Sequence, residues 1–183
     1  MNSIKLYDLL ESVMSEVGEN TAEPYATRRD DGYHSTRYYW KADDVEGGAS
    51  YVMKIFKKEV PYEKNKLHLL GTVLYDVSFG IVEDEEYDFV DYHATSKTAK
   101  NLGNTRRVMA TVISSLKQEL QSDIEDELPP VSMITMQPTK ETNFDDRRAN
   151  FYMAYIKKNM PPGSSVEYHE KGNTIVIELP FKK

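Results

Sequence analysis

From Asn104 onward the apolar residues Val108, Met109, Val112, Ile113, Leu116 and Leu120 recur at spacings of three and four, the period of a helix with one buried face. Strand-like runs lie on both sides of it. A helix of four turns between two strands is long enough to cross a sheet and join parallel neighbours, so Thr105 to Leu120 reads as a crossover helix. That excludes an all-β sandwich and an all-helical bundle.

Upstream, Leu6, Leu9, Leu10, Val13, Met14 and Val17 predict an N-terminal helix over 1–18, capped by Asn2 or Ser3 and ended by Gly18. Residues 19–36 contain Pro24, Gly32 and little apolar material, and they read as a surface loop carrying Arg28 and Arg29. Arg37 to Lys41 and Tyr51 to Lys57, separated by Gly47-Gly48, predict a hairpin. Pro61 to Leu70 reads as a short helix. Val73 to Val82 and Tyr87 to Thr95 predict a second hairpin with the acidic tip Glu83 to Glu86, so antiparallel hairpins fill 37–95.

Downstream, Pro129-Pro130 breaks the chain before the apolar run Val131 to Met136. A helix follows from about Asp145 to Met160 and is stopped by Pro161-Pro162-Gly163. Val166 to Glu170 and Thr174 to Leu179, joined by Lys171-Gly172-Asn173, predict a closing hairpin. Residues 96–183 are thus helix, strand, helix and hairpin. The expected fold class is α+β, a mixed and mostly antiparallel sheet in a single domain over 1–183, a usual domain length.

The chain has no cysteine, which excludes a disulfide framework, a zinc ribbon and a cysteine nucleophile. Four scattered histidines argue against a metal centre. There is no apolar run of roughly 18 residues, and a soluble, cytoplasmic protein is expected. The 23 Lys and Arg against 30 Asp and Glu give a net charge of −7, which disfavours a broad nucleic-acid surface.

Charge is unevenly spread. Between Tyr92 and Gln118 there is no acid, while Lys97, Lys100, Arg106, Arg107 and Lys117 are basic. Arg106 and Arg107 fall in the first turn of the crossover helix, where cations oppose the macrodipole. Two resolutions are open: a bound anion such as pyrophosphate at the helix start, or pairing with the acids of Glu83 to Asp91 and Asp123 to Glu127. Gly-x-Ser-x-Gly, Walker A, His-Glu-x-x-His and dinucleotide patterns are absent. The acidic tip reads as a solvated turn.

The stretch Lys100-Asn101-Leu102-Gly103-Asn104-Thr105 before an amphipathic helix, followed by strand, helix and hairpin, resembles the conserved half of GNAT-type N-acetyltransferases over about residues 72–179. In that superfamily the loop reads Arg or Gln, two residues, Gly, one residue, Gly or Ala, and its amides hold the pyrophosphate of acetyl-CoA. Gly103 is retained here, Lys100 stands at the first position and Thr105 at the last. Arg148-Ala149-Asn150-Phe151-Tyr152, with Tyr155 to Lys158 after it, is similar to a helix of small phage-encoded GNAT-like proteins. The front half departs from the pattern, since a helix precedes the first strand and only Gly47-Gly48 separates that strand from the next.

The resemblance implies an N-acyltransferase that moves an acetyl group from acetyl-CoA to an amine, with Lys100, Gly103, Asn104, Thr105 and Arg106 at the cofactor. Tyr152 or Tyr155 would be the acid that reprotonates the thiolate. His93, the residue of the strand Tyr87 to Thr95 suited to neutral proton transfer, would be the base. The alternative is a non-catalytic GNAT-like phage structural or accessory protein, in the host cytoplasm or as a virion component, whose partners are other proteins.

Overall fold

The computed structural model describes residues 22–44, 46–60, 69–84, 89–91, 103–137 and 147–180. In chain order they form β1 (Arg28–Asp31), β2 (Thr36–Lys41), β3 (Ser50–Glu59), β4 (Val73–Asp84), β5 (Phe89–Asp91), α1 (Thr105–Glu125), β6 (Val131–Met136), α2 (Arg147–Asn159), β7 (Ser165–His169), a 3-10 turn (Glu170–Gly172) and β8 (Thr174–Glu178).

Alternation in the strands decides which side of the sheet is covered. Tyr38 lies opposite Met53, and Met53 opposite Phe79. One step along, Trp40 faces Tyr51, and Tyr51 faces Ile81. These side chains belong to one core cluster with Val108, Met109, Val112, Ile113, Leu116 and Leu120 of α1 and Ile156 of α2. Both helices therefore pack on the same face of the sheet. A smaller cluster of Val60, Leu69, Leu74 and Met133, joined by Val176, lies apart from it.

The helix α1 joins β4 to β6, which pair in parallel with Tyr75 opposite Ile134 and Val77 opposite Met136. The other pairings are antiparallel, and the sheet runs β1, β2, β3, β4, β6, β8, β7, with β5 paired to β4 off that path. The fold is α+β. Because β3 holds one edge of β4 from Val73 to Ile81, β6 and β5 share the other: β6 as far as Val77, β5 from Ile81 onward. Ser78, Phe79 and Gly80 stand between these pairings. The last hairpin turns through Asn173 in the left-handed region at φ 47°, which a short polar side chain tolerates, and Asn173 N–H donates to the Glu170 carbonyl at 3.2 Å.

The structure differs from the sequence reading in three places, one being that β4 runs on through Glu83 and Asp84, with Asp84 opposite Phe89, where the acidic tip Glu83 to Glu86 is expected as a turn. Within 19–36, Arg28–Asp31 forms a strand antiparallel to β2, with Arg28 opposite Tyr39 and Asp31 opposite Thr36. All four of its residues are exposed, so this edge strand has no apolar alternation, and its charges protect an open edge. The crossover helix also continues past Leu120 to Glu125. It closes with Leu128 N–H on the Asp123 carbonyl at 2.9 Å and Glu127 in the left-handed region at φ 55°.

The expected helix over 1–18, most of Pro61 to Leu70, Glu85 and Glu86 of the acidic tip, and residues 92–95 lie outside the described residues. Among the described residues no helix is long and apolar enough to cross a membrane.

Leu116 is fully buried under the sheet face, whereas Gln118 on the same helix is exposed. Leu116→Ala is expected to lower unfolding free energy by about 3 kcal/mol through lost burial and the cavity left behind. Gln118→Ala should change it by less than about 0.5 kcal/mol, and urea unfolding of the two variants checks the contrast.

Candidate functional site

The start of α1 carries most of the candidate residues. Asn104 caps the helix, its Oδ1 accepting from the N–H groups of Arg106 at 2.9 Å and Arg107 at 3.4 Å. Asn104 N–H donates to the Tyr25 hydroxyl at 3.1 Å, and that hydroxyl donates to Asp44. Tyr25 N–H donates in turn to Thr111 Oγ1 at 2.8 Å. Burial and the bond to Asp44 push the Tyr25 hydroxyl above its ordinary pKa, and the same bond draws the Asp44 carboxyl below its own.

Arg107 completes the arrangement. Its guanidinium lies over the Tyr25 ring at 4.1 Å, its Nε donates to the Glu23 carbonyl at 2.9 Å, and its terminal nitrogen is 3.8 Å from Asp43 and 4.0 Å from Asp44. Of the two cations that conflict with the helix dipole, Arg107 is thus met by Asp43 and Asp44 of the turn after β2, which the sequence reading did not name as partners, while Arg106 is exposed. Gly103 is at φ 73°, and a Cβ there would stand 2.5 Å from Ala42 Cβ and 2.6 Å from the Tyr25 oxygen. Thr105 and Arg106 are exposed. Lys100 and His93 lie outside the described residues.

The two candidate tyrosines lie on α2. Tyr152 packs on Phe79 of β4 with ring centres 5.7 Å apart, and on Phe151 at 6.1 Å. Its neighbour on β4 therefore falls in the stretch between the β6 and β5 pairings. Tyr155 contacts Phe151 at 6.3 Å, and burial pushes its hydroxyl above the ordinary value, which makes it a poorer acid.

A third group of side chains includes Asp123, expected from sequence as a partner for the basic residues of 92–118 and found instead on Lys57 and Tyr75, and otherwise had no counterpart among the sequence candidates. Thr111, Ser115, Glu119 and Asp123 follow one another at four-residue spacing along α1, and all are buried. Glu119 Oε1 accepts from Thr36 Oγ1 at 3.0 Å and Lys57 Nζ at 2.8 Å. Its Oε2 accepts from the Tyr38 hydroxyl at 2.8 Å and Arg29 Nε at 3.1 Å. Asp123 accepts from Lys57 and, at 2.6 Å, from the Tyr75 hydroxyl.

Two buried carboxylates, Glu119 and Asp123, meet Lys57 and Arg29, and Arg29 also donates to the exposed Asp31 at 2.7 Å. Burial by itself would raise Glu119, but the bonds from Arg29, Lys57 and Tyr38 outweigh it and hold the carboxyl at about 2. Burial likewise would lower Lys57, and its bonds to Asp123 and Glu119 leave it raised. Burial and the bond to Glu119 raise Tyr38, and burial and the bond to Asp123 raise Tyr75. Each of these shifts moves its group away from neutrality, so the cluster suits a structural tie better than proton transfer. The signal for it was a row of polar residues at helical spacing beside the apolar stripe. Among the described residues no group of three or more acidic or histidine side chains is placed to hold a metal.

Two tests follow the geometry. Glu119→Gln removes the buried charge that Arg29 and Lys57 share, leaving Lys57 with Asp123 and Arg29 with the exposed Asp31, and should cost about 2 kcal/mol at neutral pH. Because the folded pKa lies below the ordinary 4.5, the stabilisation is whole above about pH 4.5 and disappears as pH falls through about 2, so wild type and variant should converge in acid denaturation. Gly71, at φ 82° with open space around it, isolates the backbone cost: Gly71→Ala should lose about 1 kcal/mol and Gly103→Ala clearly more, read by urea unfolding. No family model, no curated protein and no solved structure matches the chain, so a reading of its function has these side chains as its basis.

Proposed function

We propose that this chain is a non-catalytic protein that acts by contact with other proteins, on a layout similar to the conserved half of GNAT-type N-acetyltransferases. The likeness in layout rests on the order β4, α1, β6, α2, β7, β8, interrupted only by the three-residue β5 between β4 and α1, with β4 and β6 parallel and β8 lying between β6 and β7. One observation carries the non-catalytic reading. At the start of α1 the N–H donors of Arg106 and Arg107 are taken by Asn104 Oδ1, and Gly103 abuts Ala42, Tyr25 and Asp44. A pyrophosphate there would have to displace an intramolecular cap and approach a carboxylate.

A second reading, acetyl transfer from acetyl-CoA to an amine, is favoured by Tyr152 against Phe79, where an acid beside β4 would face a bound thioester. Thermal unfolding with acetyl-CoA and with CoA at millimolar concentration separates the two. The contact reading expects no change in Tm. Ligand at 100 times its Kd would add about 2.7 kcal/mol and raise Tm by roughly 5 to 10 °C. A saturable rise with both ligands, lost in the exposed variant Arg106→Glu, would overturn the contact reading in favour of the transferase.

A further inference from the structure

We draw no further inference here: the strongest candidate, the surface patch around the half-exposed Leu70 and Leu128 at the end of the sheet where β4 and β6 begin, carries nothing because nothing in the structure shows what covers it.

Discussion

A fully buried carboxylate on a helix is costly unless every lone pair finds a donor, and Glu119 meets that demand with groups from three different strands. Arg29 comes from β1, Thr36 and Tyr38 from β2, and Lys57 from β3. Lys57 also reaches Asp123, which takes the Tyr75 hydroxyl of β4. Four consecutive strands of the sheet are thereby set against one helix at fixed height and rotation. Apolar packing alone would tolerate a slide along the helix axis by a turn, because Val112, Leu116 and Leu120 are interchangeable in kind. The donor set around Glu119 is not, and it selects one position.

The same helix is held at its other end by different chemistry. There the Tyr25 hydroxyl links the backbone of Asn104 to Asp44, and Arg107 covers the Tyr25 ring. Residues 23–25 and the turn after β2 are drawn onto the helix start, close enough that Gly103 needs the absence of a side chain as well as a positive φ. With both ends of α1 fixed, β6 leaves the helix in position to pair with β4, and the strands β8 and β7 extend the sheet from it.

Periodicity made much of this legible beforehand. The crossover helix, the hairpin of β2 and β3, the strand at 131–136, the second helix and the closing hairpin all carry apolar residues at the spacing of their structure, and each appears within a few residues of its expected bounds. What periodicity does not record is pairing between charges. The sequence Arg28-Arg29-Asp30-Asp31 reads as a polar loop because an edge strand with four exposed residues hides no apolar face, and its link to the fold runs through Arg29 to a residue 90 positions away. Glu119 reads as an ordinary polar position, and Asp123 as an acid for the basic residues of 92–118, until Lys57 and the strand hydroxyls are brought beside them.

The start of α1 shows how such pairings bear on function. Basic residues in the first turn of a helix are unfavourable alone, and that conflict is a real signal in the sequence. It has two chemically equivalent answers, an anion from outside or a carboxylate from inside, and local sequence does not distinguish them. Asp43 and Asp44 lie more than 60 residues upstream, and it is the fold that brings them to Arg107. Once they are there, the Arg107 guanidinium and the N–H groups of Arg106 and Arg107 have partners within the chain. A pyrophosphate at this helix would then compete with bonds already made.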